Sequence, residues 1–313
     1  MSCGQVEIVH ANVHRASRAG IAKQLSYAIK KYSPDHIHMG GSIKTLDVIP
    51  KKALQEFKET GGRLTWFYGD AYNNSETQNS LLDIVDNIYI TNSSHLTNPK
   101  AIPVLCPYDQ KVYRPFPKRR ERGVVFVGNP HTEDRARAME HLSTKCDLEV
   151  YGSGAWQKFK VNYKGPLAHS RFSETLANYK IVLGEPARSP CSFIGLGTGC
   201  LKKMPMFKGP VCRVESCDKY VGLKQYYSNR LANVLASKSF HLVHYIDGVE
   251  KIAENGKDLV WYNNMDEAEA LIEKFLHDDV LRENIADSGY ELIKNYTFES
   301  MAKRIIDGEE RNV

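Results

Sequence analysis

The stretch Ser228–Lys257 reads SNRLANVLASKSFHLVHYIDGVEKIAENGK, and its pattern decides the fold class. Leu231, Val234 and Leu235 recur at i, i+3 and i+4, the apolar face of a short amphipathic helix over 228–236. Ser228 suits the N-cap, so the unpaired amides of the first turn, with Asn229 and Arg230 beside them, face whatever lies ahead of the helix. A helix N-terminus combined with a guanidinium suits a phosphate. Phe240-His241-Leu242-Val243 then reads as a short buried strand, ended by the turn Tyr245-Ile246-Asp247-Gly248. A second helix is expected from Val249 to just before Gly256. Helix, buried strand, glycine turn and helix is the pattern of a doubly wound α/β sheet, which binds ligands at its carboxyl edge.

Outward from that stretch, length and composition set bounds. A chain of 313 residues can bury two cores of ordinary size. The apolar fraction of 42% and charged fraction of 25% are those of a water-soluble globular protein. No apolar run approaches the roughly 18 residues of a membrane span, and the first residues do not show the basic-then-apolar pattern of a signal peptide. Seven cysteines, an odd number without framework spacing, imply free thiols and a cytoplasmic location. Charge is uneven. Residues 117–240 hold 21 Lys and Arg against 10 Asp and Glu, whereas 241–313 hold 8 against 17. The basic middle third implies an anionic partner, a nucleotide diphosphate at least and DNA or another polyanion as a wider alternative.

Taken from the N-terminus, Val6–Ala11 reads as a buried strand, followed by a basic turn and a helix over 21–31. That is the first βα unit of a Rossmann-like domain, although its turn is not a G-x-G-x-x-G fingerprint. His14, in this turn, is a candidate site residue, with a plain surface histidine as the alternative. Strands are expected at 36–39, 64–68 and 84–90, with a helix at 51–59. Asp70 lies just past the carboxyl end of the third strand, where an acid faces the crevice and can serve as general base or hold an acceptor hydroxyl. A turn aspartate is the other reading.

Prolines and the run Lys118-Arg119-Arg120, with Arg122, have linker composition and place a domain boundary near 115–122. Strand 124–127 then ends in Gly128-Asn129, and strand 148–151 in Gly152, two turns without side-chain bulk where backbone amides can approach a ligand. Helix is expected to close over 176–179, and 180–183 is a central strand leading to Gly184-Glu185. Residues 186–227 hold four of the seven cysteines, seven Lys and Arg, and the glycine cluster GLGTG. Their cysteine spacings fit no zinc template. From Asp266 onward the pattern is helical, ending in a helix over 298–306.

The order S-N-R, apolar helix, buried strand, D-G-V-E and G-K resembles the donor-binding half of GT-B glycosyltransferases, most closely the CgeB-like group within the family 4-like enzymes. VFVGN (125–129), LEVYGSGAW (148–156), YKGPLAHSRFSETLANYKIVLG (163–184) and the tail from LVWYNN carry the likeness, with an interruption at 185–227. The resemblance implies two Rossmann-like domains facing each other across a cleft. It also implies an acceptor-side domain at 1–116, a donor domain at 117–296, and a final helix at 297–313 that crosses back. It implies transfer of a sugar from a nucleoside diphosphate sugar, a UDP-sugar, to an acceptor hydroxyl. Arg230 would pair with the diphosphate. Gly128, Asn129, Gly152, Lys164, Gly165, Ser228, Asn229, Asp247, Gly248 and Val249 would line the donor, and Glu250 matches the family's acidic residue in the D-G-V-E turn. Where the family has a ribose-binding glutamate three residues past the arginine, this chain has Asn233, which keeps hydrogen bonding but loses the charge. No D-x-D appears, so no metal site and no cofactor beyond the donor is expected. Two alternatives stand beside this reading: a phage-type enzyme acting on hydroxymethylated DNA bases, and a nucleotide-sugar-binding protein without turnover.

Overall fold

The computed structural model describes residues 18–40, 50–68, 82–90, 99–130, 133–185, 229–246 and 249–307. They fall into two units, one of residues 1–106 with 299–313, the other of residues 107–298. No helix among the described residues is long and apolar enough to cross a membrane.

The first unit contains α1 (Arg18–Tyr32), β1 (His36–Gly40), α2 (Lys51–Glu59), β2 (Arg63–Tyr68), β3 (Asn87–Ile90) and β4 (Ala101–Pro103). The strands form a parallel sheet in the order β1-β2-β3-β4. Leu54 and Phe57, one helical turn apart on α2, bury against Leu64, Trp66, Ile88 and Ile90. The chain can reverse tightly into β2 because Gly61 takes a φ of 86° and Gly62 has no side chain. A Cβ at Gly62 would lie 2.1 Å from Phe57 Cζ. The strand expected over 84–90 starts only at Asn87. Leu82–Ile84 is a single 3-10 turn, and the Asp86 carboxylate accepts from the Leu64 amide at 2.7 Å and Lys58 Nζ at 2.7 Å.

The second unit runs β5 (Arg122–Val127), α3 (Glu133–Ser143), β6 (Leu148–Tyr151), β7 (Asn162–Gly165), α4 (Phe172–Leu176) and β8 (Tyr179–Gly184). It continues with α5 (Asn229–Ala236), β9 (His241–His244), β10 (Val260–Tyr262), α6 (Met265–His277) and α7 (Asp279–Ile293). Its sheet is parallel, in the order β10-β9-β8-β5-β6-β7. The chain therefore winds outward from β5 in one direction and, after β7, outward from β8 in the other. That is the doubly wound order, with its switch point between β5 and β8. Parallel strands covered on both faces need near-continuous apolar runs, which β5 and β8 supply: Val124, Val125, Phe126, Ile181, Val182 and Leu183 are fully buried. Phe240, Ile272, Phe275, Met139, Leu142 and Trp156 belong to the same core.

Two further expected elements differ. Helix ends at Leu176, and Tyr179 already belongs to β8, because the carbonyls of Ala177 and Asn178 accept from the amides of Arg119, Arg120 and Arg122. The helix expected from Val249 is one 3-10 turn, Val249–Lys251. The chain then doubles back: Asp258 Oδ2 accepts from the Glu254 amide at 2.9 Å, and Gly256 takes a φ of 78°. Helix α3 and strands β4, β7 and β10 are not among the expected elements; the strands are three or four residues each, too short to show a period. The α6–α7 break occurs at Asp278, whose carboxylate caps α7 by accepting from the Leu281 amide at 3.0 Å. The last helix, α8 (Phe298–Asp307), begins where the chain re-enters the first unit, and there Arg63 Nη1 donates to the Ile306 carbonyl at 3.1 Å.

Candidate functional site

The switch point of the second unit gathers the residues of interest. Phe126, near the end of β5, is flanked by two guanidinium groups: Arg230 Cζ lies 4.6 Å from the ring centroid and Arg135 Cζ 5.9 Å. Cations over an aromatic face are attracted by its quadrupole, so the ring helps to orient both arginines. Gly128 makes room for this. A Cβ there would lie 2.5 Å from Arg230 Nη2 and 3.0 Å from the Phe126 ring. Gly152 is equally constrained, since a Cβ would fall 2.1 Å from the Gly128 carbonyl oxygen. That oxygen accepts from Trp156 Nε1 at 2.7 Å, and the Gly128 amide donates to Tyr151 O at 2.9 Å.

Asn129 ties the two glycine turns together. Its Oδ1 accepts from the Ser153 amide at 2.7 Å, and its carbonyl accepts from Arg135 Nη1 at 2.9 Å. Its side chain thus fixes the loop. Gly165, with a φ of 99°, accepts from the Gly152 amide at 3.1 Å through its carbonyl. Gly128, Asn129, Gly152, Gly165 and Arg230 are therefore linked at one sheet edge.

Helix α5 starts at Asn229, so Asn229 and Arg230 occupy its first turn. Arg230 Nη1 donates to the Glu185 carbonyl at 3.5 Å. Asn233, one turn on, is half-buried, and its carbonyl accepts from Ser237 Oγ at 2.7 Å. Beside Arg230 is a pocket to which Glu185, His241 and Ile246 also contribute. Glu185 is 1% exposed, and Tyr262 OH donates to its Oε2 at 2.6 Å. His241 is also 1% exposed, with Nδ1 3.0 Å from the Val182 carbonyl. Burial, reinforced by the nearby Arg230 charge, pushes the His241 pKa down to about 4, so the ring is neutral at pH 7.

The remaining expected residues are placed differently. Lys164 Nζ lies 3.7 Å from Glu149 Oε1, in a cluster where Glu149 also accepts from Arg122 Nη1 at 2.8 Å and from Tyr179 OH. Val249 is buried, with its amide on Ile246 O. Glu250 is exposed, and its Oε2 accepts from Tyr245 OH at 3.2 Å. His14, Asp70, Ser228, Asp247, Gly248 and the 186–227 segment lie outside the described residues, as does the strand expected at Val6–Ala11.

The linker run is not a free basic patch. Lys118 pairs with Glu283 and Asp287, Arg120 Nε with Glu283 at 3.0 Å, Arg122 with Glu149, and Lys238 with Asp287 at 3.2 Å. Arg120 also donates to the carbonyls of Tyr179 at 2.7 Å and Lys238 at 3.0 Å. Lys118 and Arg120 fasten the entry to β5 onto α7, and Arg122 ties it to β6, so these three charges of the basic segment are paired within the chain. Glu283 and Asp287, the partners of Lys118 and Arg120, lie 163 to 169 residues downstream in the segment whose net charge is negative, whereas Glu149 is 27 residues from Arg122.

Comparison with known proteins now places the chain. A family model described as "Glycosyl transferase-like" matches residues 134–307. This chain belongs to the glycosyl transferase-like family. No curated protein matches by sequence. Among solved structures, TarM aligns at 10% identity with a TM-score of 0.58, over 91% of this chain and 57% of that one. A glycosyltransferase from Rickettsia africae aligns at 12% identity and a TM-score of 0.60, over 96% and 83%. HepE of Anabaena, in complex with UDP-glucose, aligns at 11% identity and a TM-score of 0.59, over 92% and 81%. This chain thus spans little more than half of TarM and most of the other two. At such identities the likeness concerns the fold, and the fold is the GT-B type that the sequence resemblance implied.

Sequence reading missed Arg135, Glu185, His241 and Tyr262. Arg135 sits on α3, which went unread because Ala136, Met139 and Leu142 are diluted by seven charged or polar neighbours in EDRARAMEHLS. Glu185 did carry a signal, as the first residue past a central strand. His241 opens an otherwise apolar strand, and only the fold shows what its ring faces.

Proposed function

We propose that this chain transfers a sugar from a UDP-sugar to an acceptor hydroxyl, with the diphosphate held at the β5–β8 switch point. The observation that carries this is the pair of guanidiniums, Arg230 and Arg135, against Phe126 and beside a glycine that must stay bare. The bidentate fork of a guanidinium matches phosphate oxygens. The HepE structures of similar fold were solved with UDP and with UDP-glucose, which points to the same donor class.

In the reaction, the bond from the anomeric carbon to the diphosphate oxygen breaks and that carbon bonds to the acceptor oxygen. The acceptor hydroxyl loses its proton and UDP departs with the bonding electrons. Arg230 and Arg135 stabilise that leaving charge, the electrostatic contribution that most lowers such a barrier. In this reading residues 117–296 form the donor side, with Gly128, Asn129, Gly165 and Asn229 around the nucleotide, and residues 1–116 form the acceptor side. Asp70, His14 and Glu250 are the candidates to receive the acceptor proton. The paired state of Lys118, Arg120 and Arg122 removes one support for a DNA acceptor.

The test is release of UDP from UDP-glucose, UDP-galactose and UDP-N-acetylglucosamine without added acceptor. Slow release above the buffer rate, lost in Arg230→Ala, is expected. Binding without release would make the chain a nucleotide-sugar-binding protein, and neither binding nor release would overturn the proposal.

A further inference from the structure

Helix α1 reads RAGIAKQLSYAIKKY, with four Lys and Arg and no Asp or Glu. Ile21, Leu25 and Ile29, spaced i, i+4 and i+8, face the first unit's interior: Ile21 is buried, and the other two pack on its core. Lys23, Tyr27, Lys30 and Lys31, spaced i, i+4, i+7 and i+8, take the opposite face, and all four are exposed, Tyr27 at 61%. Among the described residues, no carboxylate pairs with Lys23, Lys30 or Lys31. Lys31 instead lies over two rings, its Nζ 4.7 Å from the Tyr32 centroid and 5.6 Å from that of Tyr27. The acid nearest in sequence is Asp35, beyond the end of the helix. Helix α2, packed beside α1, is nearly balanced: Lys51 and Lys52 stand with Glu56 and Glu59, and Lys58 is paired with Asp86.

Two of these lysines have a local use, since Lys30 and Lys31 in the last turn complement the helix dipole. That use does not extend to Lys23, two turns earlier, or to an apolar ring left in water among the lysines. We propose that this face docks the chain on an anionic lipid bilayer. An ammonium near such a surface gains from its negative potential, and a tyrosine gains at a water–lipid boundary because its ring is apolar and its hydroxyl polar. The apolar side of α1 is committed to the core, so the helix lies on the surface without inserting, and salt screens the attraction. Nucleic acid is the competing polyanion, but it would hold its bases by stacking on open ring faces, and Lys31 already lies over both tyrosines. The docking face belongs to the first unit and shares no residue with the donor site of the second.

Co-sedimentation of the full chain with millimolar lipid tests this, using vesicles of phosphatidylcholine alone and of phosphatidylcholine mixed with phosphatidylglycerol. Binding is expected to the mixed vesicles only, and to fall as salt rises. Lys23→Gln, Lys30→Gln and Lys31→Gln should each weaken it about fivefold, and the triple variant about 100-fold. Tyr27→Ser, which leaves the charge unaltered, should weaken it by a smaller factor. Should the triple variant fail to fold, Lys23→Gln combined with Tyr27→Ser decides, because neither residue lies in the core or at the helix end. Equal binding to both vesicle types, no binding to the mixed vesicles, or mixed-vesicle binding that the variants leave unchanged would each overturn the proposal. A single-stranded oligonucleotide is the competing probe. If it binds, loses binding in the triple variant, and mixed vesicles do not bind, the face belongs to nucleic acid and the bilayer proposal falls.

Discussion

Two groups of basic residues lie in the same positively charged third of the chain, and the fold holds them by different means. Lys118, Arg120, Arg122 and Lys238 are held by carboxylates of Glu283, Asp287 and Glu149. Arg230 and Arg135 are held against an aromatic ring and by main-chain carbonyls. A carboxylate partner cancels charge, so the first group contributes cohesion. A ring and a carbonyl orient a guanidinium, and they place the second group at the sheet's switch point. Net charge summed over a segment does not distinguish these cases.

The contrast can be broken by substitution on either side. The largest effect is expected at Arg120, whose side chain is only 10% exposed and serves one carboxylate and three carbonyls. Arg120→Ala should lower stability by about 3 kcal/mol, because it leaves buried acceptors unpaired, yet leave nucleotide affinity unchanged. Urea unfolding and UDP titration on one preparation check both halves. Next comes Arg230→Ala, with the opposite signature: UDP affinity should fall by about 2 kcal/mol, roughly 30-fold, with little change in the unfolding midpoint. A variant that unfolds early but binds normally would assign Arg230 to the cohesive group.

A pH prediction follows from His241. Its folded pKa of about 4 lies below the ordinary 6.5, so the unfolded chain takes up the proton first. Stability is therefore complete above pH 6.5 and declines as pH falls toward 4, by about 2 kcal/mol at pH 5. His241→Gln should flatten that part of the stability–pH curve. The smallest effect belongs to Lys118, whose pairs are partly solvated. Lys118→Ala should cost about 0.5 kcal/mol, less at high salt, and should not change the salt dependence of any polyanion binding.

Much of the second unit was legible because its signals are local. The apolar spacing of Leu231, Val234 and Leu235, the runs 124–127 and 180–183, and the bare Gly128 and Gly152 turns each state their own conformation. Arg230 was readable for the same reason, as the first turn of a helix following a polar segment. Glu185 with Tyr262, and Lys118 with Glu283, were not, since the partners stand 77 and 165 positions apart and meet only through the winding of the sheet. The Val249 helix was overread because DGVEKIAENGK has helical composition, whereas the Asp258 carboxylate and Gly256 turn the chain back after one turn. Lys164 was assigned to the donor from resemblance alone, and the charge of Glu149 on the neighbouring strand draws it to an ion pair instead.

The most direct measurement is a calorimetric titration of the wild-type chain with UDP and with UDP-glucose at low salt, repeated with Arg230→Ala. One site per chain, weakened about 30-fold in the variant, is the result expected if the ring-held arginines bind a donor diphosphate. Equal affinity in wild type and variant, or no binding of either ligand at millimolar concentration, would contradict it.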